Sequence, residues 1–256
     1  MLFLLSNDDG YQASGINQLI EMLRPMADIF VVAPDSARSG ASLSISAHTP
    51  VRNRLIRSEE ALDGLGSLTI WSCSGTPDDC VKMAFEKLLP RRPDLVIGGI
   101  NHGDNCAINA HYSGTVGIAI EGCMKGVPSI AFSNANPCAD ADFSAMTVYV
   151  KQIVQHVLAQ GLPNGTFLNV NAGDYPQYKG IRICKMGMGE WRQEWQEAIH
   201  PHGWTYYWIA GYYDPANPDD EQTDTWAMQH EYVAITPIKL DFTDYDSIAK
   251  LQELEK

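Results

Sequence analysis

Short apolar runs alternate with helical patterns through the first two-thirds of this chain, and no other feature narrows the fold as far. Leu2 to Leu5 reads as a buried strand, and Ile16, Leu19, Ile20 and Leu23 follow at helical spacing behind a candidate cap, Ser14. Ile29 to Ala33 gives a second strand, stopped by Pro34, and Leu68 to Trp71 gives another. Thr76-Pro77-Asp78-Asp79 combines a hydroxyl cap, a first-turn proline and acids near the positive end of a helix dipole. Val81, Ala84, Phe85 and Leu88 supply that helix with an apolar face. Asp94 to Gly98 is a strand followed by a long polar loop. Ser113 then caps a helix running to Lys125, with Gly126 where a C-terminal glycine is expected. A strand over Val127–Phe132, a helix from Phe143 to Leu158 closed by Gly161, and a strand over Phe167–Val170 complete the series. Such an order predicts an α/β fold: a doubly wound, mostly parallel, Rossmann-like sheet with helices on both faces.

The last third reads differently. Gly180 to Cys184, Thr205 to Ile209 and Tyr232 to Ile235 look like strands with few helices between them. Residues 186–230 are rich in Trp, Tyr, Gly, Pro and acids, which predicts an extended β-hairpin arm and loop before a return strand. Leu240 to Leu254 reads as partly helical. The expected organisation is one α/β domain over residues 1–256 carrying that arm.

Bulk properties remove several classes of function. The net charge of −13 repels nucleic-acid backbones, so polymeric DNA or RNA is a poor partner. Small phosphorylated molecules stay possible, because a metal or a helix N-terminus reverses the sign locally. No apolar run approaches a membrane span. The six cysteines form no C-x-x-C pair and read as reduced thiols, which points to the cytoplasm. There is no G-x-x-x-x-G-K-[ST], no G-x-G-x-x-G after the first strand and no G-x-S-x-G elbow.

Ligands of an open parallel sheet bind at the carboxyl ends of its strands, and four loops there are polar and glycine-rich. Ser6-Asn7-Asp8-Asp9-Gly10 places two carboxylates side by side; they suit a hard divalent cation, although the segment also fits an ordinary Asx turn. Pro34 to Ser42 offers hydroxyls and Arg38, which binds a phosphate or pairs with Asp35. Gly98 to Asn105 brings amide oxygens at Asn101 and Asn105; His102 has no second histidine at zinc spacing. Ser113-Gly114-Thr115 opens a helix whose free N–H groups make an anion site, or are merely capped. Acids, hydroxyls, amides and an anion-binding helix start on one edge together suit metal-assisted phosphoryl chemistry.

These stretches resemble the SurE survival proteins, a family of nucleoside monophosphate phosphatases. The similarity is carried by Ser6–Gly10, Val32–Asp35 with Arg38–Ser42, Ser74–Pro77 with Asp79–Val81, Gly99–Asn101 with Gly103 and Asn105, Ser113–Val116 with Glu121-Gly122, and Tyr232–Pro237. The resemblance implies metal ligation by Asp8, Asp9, Ser39 and Asn101, with Mg2+ or Mn2+ as the usual ion. Asp8, Asp9 and Asn101 would be catalytic, and Asn105, Ser113, Gly114 and Thr115 would line the phosphate pocket. It further implies hydrolysis of 5′- and 3′-nucleotides and a homodimer or homotetramer built through the arm. Four positions depart from the family: Asp104 replaces a usual proline, Ala107 a usual glycine, Leu43 a frequent Asn and Glu231 a frequent Gly. Two other readings stay open: a nucleotide- or metabolite-binding module without turnover, and a phosphatase using an aspartyl-phosphate. The last would need D-x-D after the first strand, whereas here the acids are adjacent.

Overall fold

The structure is a computed structural model that describes residues 1–255. Its strands and helices follow the chain as β1 (Leu2–Ser6), α1 (Ser14–Leu23), β2 (Asp28–Pro34), β3 (Asn53–Glu59), β4 (Leu68–Cys73), α2 (Pro77–Met83), β5 (Leu95–His102), α3 (Gly114–Met124), β6 (Ser129–Asn134), α4 (Thr147–Gln160) and β7 (Thr166–Ala172). The remainder comprises β8 (Gly180–Ile183), β9 (Gly189–Arg192), β10 (Trp195–Ile199), β11 (Thr205–Ile209), β12 (Tyr212–Pro215), α5 (Asp224–Gln229), β13 (Tyr232–Lys239) and α6 (Tyr245–Leu251).

Nine strands form one sheet in the order β3-β4-β2-β1-β5-β6-β7-β13-β8. From β4 through β7 every pairing is parallel, and β3 and β13 pair antiparallel with β4 and β7. Period-two alternation sends Phe3 and Leu5 to one face, packed with Ile16, Leu19 and Leu23 of α1 and Val150, Ile153 and Val154 of α4. Leu2 and Leu4 go to the other face, against Cys80 and Val81 of α2, Ala84 just after it, and Ile118 of α3. Burial on both faces explains why these strands read as unbroken apolar runs. The expected doubly wound sheet is therefore present. The chain leaves β1 toward β2 and β4, then returns to β5 on the opposite side of β1. The switch point lies between β1 and β5, so the loops after these two strands diverge and leave a crevice at their carboxyl ends.

Several local expectations change. Ser14 is the first residue of α1 rather than its cap: Ala13 holds the cap position, and the Ser14 hydroxyl donates to the Ala141 carbonyl at 3.1 Å. Thr76 does cap α2, in a capping box with Asp79. Two short elements, β3 and α5, had no counterpart in the sequence reading. The arm consists of two ribbons, β9 with β12 and β10 with β11. Trp195, Trp204, Trp208 and Ile209 stand exposed on it or at its turn. Among the described residues no helix is long and apolar enough to cross a membrane.

Two of the departures from the family pattern fall on left-handed backbone, with φ +49° at Ala107 and +68° at Glu231. A Cβ there crowds the following carbonyl at about 1–2 kcal/mol, which is why glycine suits both places. The ion pair of Glu231 with Lys179, 3.0 Å long and half exposed, recovers little of that. Glu231→Gly is expected to stabilise the protein by roughly 1 kcal/mol, a rise of about 2–4 °C in thermal midpoint. A calorimetric scan that shows a fall would contradict the strain argument.

Candidate active site

The loop after β1 is built to expose two acids. The buried side chain of Asn7 exchanges two hydrogen bonds with the backbone of Gly10, its Nδ2 donating at 2.9 Å and its Oδ1 accepting at 3.2 Å. Gly10 has φ +102° beside the backbone of Pro34 and Ser36, a place that suits glycine. The Asx turn and the two-acid site are thus one object: the turn tightens the loop that carries Asp8 and Asp9.

Asp8 is buried. Burial is the main reason its carboxyl is pushed up to about 6; the hydrogen bond from Thr115 opposes this and the neighbouring Asp9 charge adds to it. The Thr115 hydroxyl donates to Asp8 Oδ1 at 2.6 Å. Backbone N–H groups of Asp8 and Gly114 also favour the anion, so the start of α3 faces this carboxylate. Gly114 is required by contact: a Cβ there would lie 2.9 Å from Asp8 Cβ and 2.9 Å from Pro77 Cγ. Ser113 caps α3 by accepting from the Val116 amide at 3.1 Å.

Asp9, the residue after Asp8, makes its contacts at the end of β5. Its Oδ2 sits 3.1 Å from His102 Nδ1 and 3.4 Å from the His102 amide. Asn101, one residue earlier, donates its Nδ2 to the Gly103 carbonyl at 2.8 Å; with that amide orientation its Oδ1 is the atom left to serve a ligand. The loop after β2 is drawn over the site because the Arg38 amide donates to the Asp8 carbonyl at 2.6 Å. Ser39 comes next and is exposed. The Arg38 side chain turns away, to the Ser74 carbonyl at 3.1 Å and Asp35 at 3.5 Å.

The remaining candidates are placed less directly. Asn105 is buried in an amide network: its backbone amide donates to Asn171, its side chain donates to Ser133 at 2.7 Å, and its carbonyl accepts from Asn169. Asp104 points into its own loop, accepting from the Cys106 amide at 3.1 Å and from Asn109 at 3.3 Å. Contact therefore joins Asp8 with Gly114 and Thr115, and Asp9 with His102 beside Asn101. The sequence pattern does no more for His102 than set it apart from a zinc site; its side chain is 8% exposed and bonds Asp9. The Asn169–Asn171 network was also missed. Its signal was available, since two asparagines in a strand that is otherwise apolar need buried partners. A second acid, Asp78, is pushed up to about 7 by burial and then by buried Glu121, which pairs with Lys82; it belongs to the packing of α2 on α3.

The donor chemistry fits a hard cation. Among the described residues no three His, Cys, Asp or Glu side chains converge, and no Lys or Arg pairs with Asp8 or Asp9. The candidate donors Asp8, Asp9, Ser39 and Asn101 are all oxygens, the set preferred by Mg2+ and Mn2+. Two adjacent carboxylates, one of them buried, carry negative charge that such an ion would offset.

Fold and crevice together define a doubly wound α/β protein with an acidic, oxygen-lined site at the sheet's switch point, facing a helix N-terminus. Residues 3–193 match the family model described as Survival protein SurE. A relative named 5′-nucleotidase SurE from Phocaeicola vulgatus is 50% identical over 251 residues, spanning 98% of this chain and 95% of the relative. Another of the same name from Bacteroides fragilis is 46% identical, over 99% and 97%. The crystal structure of the SurE protein from Aquifex aeolicus superposes with a TM-score of 0.81 at 36% identity, covering all of both chains. The chain belongs to the SurE family.

Proposed function

We propose that this protein is a divalent-metal-dependent 5′-nucleotidase that hydrolyses nucleoside 5′-monophosphates, and 3′-monophosphates as well, to nucleoside and phosphate. The reading is supported by full-length similarity to relatives of that name. The observation that carries the chemistry is the pair Asp8–Asp9 at the switch point, with Asp8 buried against the first turn of α3. In this reading Asp8, Asp9, Ser39 and Asn101 hold one Mg2+ or Mn2+. The bound ion supplies Lewis-acid polarisation of the phosphoryl oxygens.

The chain's own residues do the rest. Ser113 satisfies the Val116 amide and the Gly114 amide favours the Asp8 carboxylate, which leaves the Thr115 amide of the first turn for a phosphate oxygen to meet. The Thr115 hydroxyl fixes the rotamer of Asp8. Asn105 would border the phosphate pocket, held by Ser133, Asn169 and Asn171. The charge of Asp104 is partly absorbed by two donors of its own loop. The aromatic arm points to self-association: two-stranded ribbons are marginal alone in water, and a second copy would cover Trp195, Trp208 and Ile209 in a dimer or tetramer. Six unpaired cysteines, five of them buried, accord with a cytoplasmic setting.

Phosphate release from a panel of nucleoside 5′- and 3′-monophosphates tests the proposal. The expected result is turnover with Mg2+ or Mn2+, loss to background in EDTA, and recovery on adding metal back. Tight nucleotide binding with no release from any substrate would replace the enzyme by a binding module.

A further inference from the structure

His102 departs from what a histidine kept only for packing would show. Its side chain is 8% exposed and its ring lies against Phe143, with centroids 5.1 Å apart. Nδ1 sits 3.1 Å from Asp9 Oδ2, and the His102 backbone amide lies 3.4 Å from the same oxygen. Nε2 is buried and has no hydrogen-bond partner among the described residues. A carboxylate only accepts, so Nδ1 is the donor in this contact, and in the neutral ring the unmatched atom is the Nε2 lone pair. A buried polar atom without a partner costs stability. The gain that offsets it lies on the other side of the ring, at Asp9. Among the described residues Asp9 Oδ1 takes part in no hydrogen bond, so the carboxylate is gripped at one oxygen and free at the other.

We infer that His102 is a positioning residue: its Nδ1–H and its backbone amide hold one oxygen of Asp9 so that the other is presented to the divalent cation. This rests on the reading above that Asp9 is a ligand. It differs from direct ligation, because the ring engages the carboxylate through hydrogen. The logic is that of a second-layer partner that fixes the orientation of a ligand, with removal costing metal affinity about 10–100-fold.

The test separates the two nitrogens. In His102→Asn the side-chain amide nitrogen falls near the place of Nδ1; in His102→Gln it falls near Nε2. Calorimetric titration of each purified variant with Mn2+, without substrate, gives the affinity, and a thermal scan in EDTA gives the stability. His102→Gln is expected to weaken Mn2+ binding by about tenfold or more, with His102→Asn staying near the wild type. Neither scan should show a loss that tracks the affinity. At saturating Mn2+ the kcat of His102→Gln should largely recover, the deficit lying in the metal requirement. Wild-type Mn2+ affinity in both variants, or equal weakening in both, would overturn the positioning role. Failure of the ligand reading looks different: wild-type protein, or Asp9→Asn compared with it, would then show no specific Mn2+ binding to lose.

Discussion

Asp8→Asn is expected to lower turnover by about a thousandfold or more at saturating Mn2+, while leaving the apo protein at least as stable as the wild type. Asparagine keeps an oxygen for the Thr115 hydroxyl and nearly the same volume, so the loss falls on ligand charge. The stability half follows from the raised carboxyl. Its folded pKa of about 6 lies above the ordinary aspartate value of 3.8, so between those two values the folded state binds more protons than the unfolded one. Stability from this group therefore falls as pH rises from about 4 to about 6 and stays lost above that window. By that linkage the substitution should stabilise the metal-free protein at pH 8 by up to about 3 kcal/mol and change little at pH 4. Thermal scans in EDTA at the two pH values, beside phosphate-release assays, check both halves. Near-normal turnover would remove Asp8 from the ligand set.

Gly114→Ala is expected to reduce kcat about a hundredfold at a stability cost of only about 1–3 kcal/mol. The added methyl group meets Asp8 Cβ and Pro77 Cγ at 2.9 Å and Asp8 Oδ2 at 3.2 Å. Pro77 is held in a rigid ring at the start of α2, so the side chain that yields is Asp8. Moving that carboxylate disturbs its bond to Thr115 and its bearing toward Asp9 and Asn101 together. Steady-state kinetics with a parallel denaturant titration separate the effects. A variant that loses stability but keeps wild-type kcat would show that α3 can retreat and that the contact is not what sets Asp8.

The elements legible in the sequence were those whose local signals agreed with their tertiary setting. β1 and α3 have a continuous apolar run and a true serine cap, and both were placed to within a residue or so. β3 was missed because Asn53–Glu59 is a polar edge strand, and a register shift between Leu55 and Arg57 breaks its alternation. α5 has six residues, too few to show a helical stripe, although Thr223 caps it. Ser14 looked like a cap, yet its hydroxyl is engaged 127 residues away at Ala141, a contact no local pattern encodes.

The site divides along the same line. Which loops reach the sheet's carboxyl edge follows from strand order alone, and the acids of the first loop were visible by residue type. The contacts that set their geometry were not. Asp9 meets a histidine 93 positions on, and Asp8 meets Thr115 at a separation of 107. The hydroxyl of Thr115, a residue expected at the phosphate pocket, donates to the Asp8 carboxylate, a contact no local pattern encodes. The left-handed backbone at Ala107 and Glu231 gives a physical reason for the glycines usual there, and Asp104 is answered by its own loop.

A crystal of the protein grown with Mn2+ and measured at an energy where manganese scatters anomalously tests the central claim most directly. One strong anomalous peak is expected in the crevice between β1 and β5, with oxygen atoms of Asp8, Asp9, Ser39 and Asn101 about 2.0–2.6 Å from it. A peak elsewhere, or one that leaves Asp8 and Asp9 outside the coordination sphere, would contradict the claim.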